Sequence, residues 1–289
     1  MGLKMKKVMG SLFIGLLLVF AVAGGAQAYT NVLAFGDSLS DNGAADGVGI
    51  ARMSNGAVWT EYLAADLGAQ LTDWAISGAT TGVDAPALAQ YGYDGTQYGL
   101  QWQVGAYAAT YGSIKDDTLI TISAGGNDMF NGRSALTAVQ NIAGTMSYLI
   151  DKGADDFMVM NLSLAQQSAA NALWMAEFNS YLKLYLAGLS SSNTAVDFYL
   201  LDMSGFVATV DNYDDTWKSQ CLADPSACTG TTYAWFDIVG VHPTTEVHQQ
   251  IATYAKETLS QAAPVPEPAT ISLLIIGLAG LVGARRKMK

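Results

Sequence analysis

The sequence predicts an α/β protein in which a mostly parallel sheet is covered by helices on both faces. Two observations predict it. Between residues 30 and 261, short apolar or β-branched runs alternate with longer stretches of helical periodicity, the pattern of repeated βαβ units. Three of the short runs also close on glycine, at Gly36, Gly78 and Gly125-Gly126. Turns of that kind collect at the carboxyl ends of parallel strands, where active sites form.

The elements follow in order. Val32-Leu33-Ala34-Phe35 is an apolar run stopped by Gly36, which reads as a buried strand entering a turn. Residues 57–67 have helical spacing, with Val58, Tyr62 and Leu63 on one side. A second strand is expected over 71–76, ended by Gly78. Residues 84–99, rich in Gly, Tyr, Asp and Ala, read as an extended surface loop. The β-branched run 118–123 is a third strand, closing on Gly125-Gly126-Asn127-Asp128. An amphipathic helix over 135–152, a strand over 157–162, a helix over 171–189, a strand over 196–203 and a final helix over 246–261 complete the pattern. There is no internal repeat and no low-complexity segment.

The two ends fix the compartment. Lys4, Lys6 and Lys7 precede an apolar run over 12–22 and the small-x-small site Ala26-Gln27-Ala28, the layout of a secretory signal peptide over residues 1–28. At the other end, Val265-Pro266-Glu267-Pro268 leads into an apolar run over 271–284 and then Arg285-Arg286-Lys287. The prolines end regular structure. The apolar run is read as a transmembrane helix, although it is somewhat short of the ~20 residues that span a bilayer comfortably. This tail resembles the PEP-CTERM sorting tail, which implies processing by an exosortase-type enzyme after signal peptidase has acted at the first end. Residues 29–263 are then one exported domain, long enough for a sizeable core, followed by a sorting tail over 264–289.

That domain is strongly acidic. Seven Lys and Arg stand against 24 Asp and Glu between residues 29 and 263, a net charge of −17. Such a field opposes nucleic acid as a partner and favours solubility outside the cell. Cys221 and Cys228 bracket Leu-Ala-Asp-Pro-Ser-Ala, and in an oxidising compartment they are expected to pair as a disulfide. Zinc binding with His242 and His248 is the competing reading, but the spacing matches no standard zinc pattern.

Four short motifs then occur in order: Gly36-Asp37-Ser38-Leu39, Ser77-Gly78-Ala79-Thr80, Gly126-Asn127-Asp128 and His242-Pro243-Thr244. Together they resemble the GDSL, or SGNH, hydrolases over nearly all of residues 30 to 260, and the first block is most similar to the lipase and lecithinase-like branch. The resemblance implies a three-layer α/β/α fold around a mostly parallel, flavodoxin-like five-stranded sheet. It also implies a carboxylic ester hydrolase of the esterase or lipase type that needs no metal or organic cofactor.

Ester hydrolysis needs a nucleophile, a base to take its proton and donors for the oxyanion. Ser38, on a turn expected to lead into a helix, is the candidate nucleophile, and the generic G-x-S-x-G elbow is absent. A Ser at such a place can also serve only as a helix cap. Of the two histidines, only His242 has the His-Pro-Thr context; His248, six residues on, is expected to face solvent or to pack. By resemblance, the backbone N–H groups of Ser38 and Gly78 and the Asn127 amide form the oxyanion hole. Asp37 and Asp128 are expected to brace turns.

The sequence departs from the family pattern at the acid. The family has an Asp three positions before the His, where this chain has Val239; the nearest candidate is Asp237. Three alternatives stand: a bulge at Gly240 brings Asp237 to His242, a backbone carbonyl replaces it in a Ser-His dyad, or turnover is weak. The expected substrate is a small-molecule, lipid or glycan ester. A polysaccharide O-acetyl esterase, and a weakly active surface or matrix binding protein, are the competing functions.

Overall fold

The structure, a computed structural model, describes residues 29–43, 52–163, 168–209, 214–217, 233–235 and 241–262. Residues Tyr29–Gln261 form one compact unit. Five parallel strands make its sheet in the order β2-β1-β3-β4-β5: β1 (Asn31–Gly36), β2 (Gln70–Asp73), β3 (Thr118–Ser123), β4 (Asp156–Met160) and β5 (Asp197–Leu201). This is the doubly wound, flavodoxin-like order. β1 pairs with β3 from Asn31 opposite Thr118 through to Gly36 opposite Ser123. Their carboxyl ends, carrying Ser38 and Asn127, therefore finish level with each other.

Every residue of β3 and β4 is buried, which requires a layer on each face. One layer contains α2 (Leu100–Tyr111), α4 (Ala135–Ile150) and α5 (Ala169–Ser192). Its helices pack Val104, Ile142, Met146, Phe178 and Leu182 against Phe35, Ile120 and Phe157. The other contains α1 (Trp59–Leu67), α6 (Met203–Thr209) and α7 (Thr245–Ala262). Here Trp59, Leu63, Phe206, Ile251 and Ala255 cover Leu119, Met158 and Leu201. Burying one Leu, Ile or Phe contributes about 1.5–3 kcal/mol, so these two layers supply the main driving force for the fold. The short α3 (Gly126–Phe130) follows β3 directly, and β6 (Asp214–Trp217) pairs with β7 (Tyr233–Trp235) in a separate two-stranded sheet.

Several boundaries differ from expectation for local reasons. β2 stops at Asp73 because the Asp73 carboxylate captures the backbone N–H groups of Ala75 and Asn42, at 2.9 and 3.0 Å. The chain beyond it still donates to β1, from Trp74 and Ile76, but no longer as a regular strand. β5 ends at Leu201, where Asp202 accepts the Ser204 N–H and Asn161 accepts the Met203 N–H, so α6 starts where strand was expected. The expected loop over 84–99 contains a 3₁₀ helix at Pro86–Tyr91 and closes through a bridge between Asp84 and Tyr98.

Two further expectations are corrected. Among the described residues no helix is long and apolar enough to cross a membrane; α5 and α7 carry charged residues such as Glu177, Lys183, Glu246 and Lys256. The described residues also form no disulfide. The segment 271–284, Cys221 and Cys228 lie outside the described residues, as do the signal segment 1–28 and Asp237.

Candidate active site

The first part of the site is built on Gly36, the last residue of β1. Its φ of +138° and its closeness to β3 exclude any side chain, because a Cβ there would overlap the Ser123 carbonyl oxygen. The tight approach lets Asp37 N–H donate to that carbonyl at 2.9 Å. The buried Gln103 of α2 clamps the same residue from the other side, accepting the Gly36 N–H at 2.9 Å and donating to the Gly36 carbonyl at 2.8 Å. Ser38 follows in a hydrogen-bonded turn in which Ser40 and Asp41 N–H both donate to the Asp37 carbonyl. A turn stands at residues 38–40, where the start of a helix was expected.

The turn after β2 is stitched to this one. Asp41 Oδ2 accepts both the backbone N–H and the hydroxyl of Ser77 at 2.7 Å, while its Oδ1 accepts the Gly43 N–H at 2.8 Å. Gly78 then turns with φ +82°, a conformation that costs glycine little. Among the described residues neither the Ser38 nor the Gly78 backbone N–H has an acceptor.

A second carboxylate ties the β2 turn to the end of β3. Asp128, wholly buried in α3, accepts the backbone N–H and the hydroxyl of Thr81, both at 2.8 Å, with the Arg133 guanidinium 3.9 Å away. Arg133 also pairs with Asp84 and donates to Thr80 Oγ1. Next to Asp128, the Asn127 amide donates to the Ala79 carbonyl at 2.9 Å. An amide nitrogen carries two protons, and one remains for a ligand.

His242 completes the set. Its Nε2 lies 2.7 Å from Ser38 Oγ, across 204 residues of chain. Ser38, Gly78, Asn127 and His242 line one open cleft with Met53, Gln90 and Tyr91. The structure thus brings together four of the five residues singled out in the sequence. The fifth, Asp237, lies outside the described residues. His248 is not part of the cleft: it is buried, and its Nδ1 accepts the Trp59 backbone N–H at 3.2 Å.

Burial dominates the electrostatics. It pushes the Asp37 carboxyl up to about 7, against the opposing pull of the Leu39 N–H and of His242. It likewise raises Asp128, despite the Thr81 donors, and Asp73. Burial lowers His248 to about 3, so that imidazole is neutral at any physiological pH. Among the described residues no group of three His, Cys, Asp or Glu side chains is placed to hold a metal ion.

Comparison with known proteins decides the family. The GDSL-like Lipase/Acylhydrolase family model matches residues 32–255. The chain belongs to that family. As a GDSL/SGNH-type hydrolase it has relatives with the same architecture at low identity. A member of the lipolytic G-D-S-L family from Veillonella parvula superposes with a TM-score of 0.52 at 16% identity, covering 78% of this chain and 96% of that one. A salicylyl-acyltransferase from a tetracycline biosynthetic pathway superposes with a TM-score of 0.50 at 12% identity, over 82% of this chain and 56% of that one. These likenesses establish the fold alone. The thermolabile hemolysin of Vibrio parahaemolyticus is 27% identical over 80% of this chain, and the chain spans 64% of that protein's length. The PEP-CTERM protein-sorting motif matches residues 264–287, which marks the hydrolase as exported.

Sequence reasoning missed the residues that hold the site rather than those that face it. Gln103 and Arg133 have no motif around them, Thr81 stands one residue beyond the second motif, and the helix carrying Gln103 was not anticipated. Asp41 was visible inside the first motif, but its partner Ser77 is 36 residues away. A polar residue among the apolar positions of a helix was the available signal for Gln103.

Proposed function

We propose that the chain hydrolyses acyl esters through a covalent acyl-enzyme formed on Ser38. The observation that carries this reading is the 2.7 Å contact between Ser38 Oγ and His242 Nε2, the distance at which a neutral imidazole takes the hydroxyl proton during attack. His242 accepts that proton as Oγ bonds to the carbonyl carbon. The oxyanion is met by the Ser38 and Gly78 N–H groups and by the second Asn127 amide proton, a neutral donor set aimed at charge that exists only in the transition state. Collapse expels the alcohol, which leaves with the proton from His242. Water, deprotonated by the same imidazole, then clears the acyl group. Asp237 is the proposed orienting acid for His242.

A second reading has its own support. Gln90 and Tyr91 stand exposed at the rim of the open cleft, a suitable surface for a sugar ring, and the sorting motif belongs to an exported chain. An O-acetyl esterase acting on polysaccharide would use the same residues. In either case we propose a signal peptide over 1–28, a hydrolase domain over 29–263 and a tail over 264–289 handled by an exosortase-type enzyme, which delivers the domain to the cell surface or beyond.

The test is active-site labelling with a fluorophosphonate probe. Wild-type protein is expected to take one label at Ser38, and Ser38→Ala none. Asp237→Asn is expected to label more slowly by orders of magnitude, since an orienting acid is worth up to about 10⁴ in rate. A folded wild-type chain that takes no label would reduce this fold to a binding protein.

A further inference from the structure

Ser38 and His242 belong to segments far apart in sequence, and one buried side chain touches the surroundings of both. Trp59, the first residue of α1, is wholly buried. Its indole Nε1–H donates to Ser40 Oγ at 3.1 Å, and its backbone N–H donates to His248 Nδ1 at 3.2 Å. Ser40 is also wholly buried and follows Ser38 by two residues in the same turn, where its N–H donates to the Asp37 carbonyl at 3.0 Å. His248 follows His242 by six residues and stands in the first turn of α7, where its N–H donates to the Thr244 carbonyl at 2.9 Å.

The choice of a histidine at position 248 needs a reason. A backbone N–H in the first turn of a helix has no intrahelical partner, and the Trp59 N–H is buried, so an acceptor must be brought to it. The imidazole supplies one from 189 residues away. With Nδ1 accepting, the proton of the neutral ring sits on Nε2, which is buried without a hydrogen-bond partner among the described residues. An unpaired buried donor is destabilising. Packing alone therefore does not account for this residue, whereas the bond on its other edge does.

We infer that Trp59 and His248 are positioning residues, and that the brace His248–Trp59–Ser40 holds the start of α7 against the nucleophile turn and so fixes the reach from His242 Nε2 to Ser38 Oγ. The inference rests on the ester-hydrolase reading only for what that reach is used for.

Three single variants of the full chain break the brace at different points. Trp59→Phe keeps a buried ring and the backbone N–H but drops the indole donor; Ser40→Ala drops its acceptor; His248→Leu drops the acceptor for the backbone N–H. Turnover of p-nitrophenyl acetate is read per active site, counted by fluorophosphonate labelling, below the melting temperature of every variant. A misplacement on the order of 1 Å costs about 10²-fold in rate, and loosening the brace is expected to cost about ten-fold in kcat with little change in KM. Ser40→Ala/His248→Leu is expected to lose no more than about ten-fold, because either change already breaks the brace. His248→Gln, whose side-chain carbonyl can accept the Trp59 N–H, is expected to stay within about three-fold of wild type. Single variants that melt lower but keep the wild-type kcat per site would give these residues a structural role only and overturn the inference. Losses that multiply in the double variant, or His248→Gln as slow as His248→Leu, overturn it too.

A second arm does not depend on turnover. The chain has two histidines, so its ¹⁵N spectra carry two imidazoles, and His242→Ala identifies them. Ser38→Ala is expected to shift the His242 Nε2 signal through loss of the Oγ contact, and Ser40→Ala and Trp59→Phe to shift it the same way by less. A His242 signal unmoved by both overturns the brace whatever the kinetics show. The expected shifts in a chain that hydrolyses no ester leave the brace standing and sink the hydrolase reading.

Discussion

The turns carrying Ser38, Gly78 and Asn127 hang from three neighbouring strands of one sheet, whereas His242 arrives 204 residues after Ser38 at the start of a helix. The strand-borne half is held from inside. Gln103 grips Gly36, Asp41 binds the β2 turn to the β1 turn, and Asp128 binds it to the β3 end. The helix-borne half is anchored through the first residue of α7, on α1 and the segment that precedes it. Thr245, the first residue of α7, donates its N–H to Asn55 and its hydroxyl to the Ala57 carbonyl, and it meets the Tyr62 hydroxyl at 2.9 Å. One half of the site is therefore set by sheet geometry, and the other by how α7 docks on α1. The proposed oxyanion donors are tied to the sheet, and the proposed base is tied to α7.

The largest effect separates the halves most sharply. His242→Ala and Ser38→Ala are each expected to lower kcat for a p-nitrophenyl ester by about 10⁴-fold or more, and the double variant no further, because the two act as one unit. Additive losses would mean that they do not share a proton. Asn127→Ala comes next, with kcat down by about 10²–10³ and little change in KM. An equal fall in the binding of a non-reacting substrate analogue would move Asn127 from transition-state stabilisation to substrate binding.

Substitutions that touch no substrate test the contrast itself. Asp41→Ala removes the acceptor that positions Ser77 and hence Gly78, and a misplacement on the order of 1 Å costs about 10²-fold in rate. Thr245→Val removes the α7 anchor but leaves the helix packed on Leu63 and Trp59 through Ile251 and Ala255. It is expected to cost about 1 kcal/mol of stability and about ten-fold in kcat, less than Asp41→Ala. If Thr245→Val proved the more damaging in kcat at equal stability, the helix dock and not the sheet would be the more exacting half.

The sequence disclosed these halves unequally. Ser38, Gly78, Asn127 and His242 were legible because each sits in a motif, and three of them follow a strand ending on glycine. The parallel sheet followed from strands alternating with helices, and its flavodoxin-like arrangement from the family resemblance. The braces were not legible, since Asp41 to Ser77, Asp128 to Thr81 and Gln103 to Gly36 are contacts 36, 47 and 67 residues apart, and no local period records them. β2 and β5 ended early because the carboxylates of Asp73 and Asp202 took backbone N–H groups beyond the strands, a competition that propensity does not register. His248 was expected to face solvent or to pack; with one imidazole edge on Trp59 it packs, in a place that only the meeting of α1 and α7 defines.

The smallest effect is on stability, and it sets the two halves against each other in pH. Asp37, in the strand-borne half, has its carboxyl raised by burial from 3.8 to about 7. The folded state therefore holds that proton more tightly than the unfolded chain. Its contribution is complete below 3.8 and is lost as pH rises through about 7. His248, in the helix-borne half, is lowered by burial from 6.5 to about 3. Its contribution is complete above 6.5 and is lost as pH falls toward 3, where the unfolded chain takes the proton first. Each shift corresponds to a few kcal/mol at most, at about 1.4 kcal/mol per unit. Asp37→Asn keeps an acceptor for the Leu39 N–H and removes the titration. Relative to wild type, its Tm is expected to gain as pH is raised from 5 to 8. His248→Gln is expected to gain in the opposite direction, as pH is lowered from 6.5 to 4. Thermal melts across that range check both, and parallel Tm profiles for wild type and either variant would show that its group titrates alike in the folded and unfolded chain.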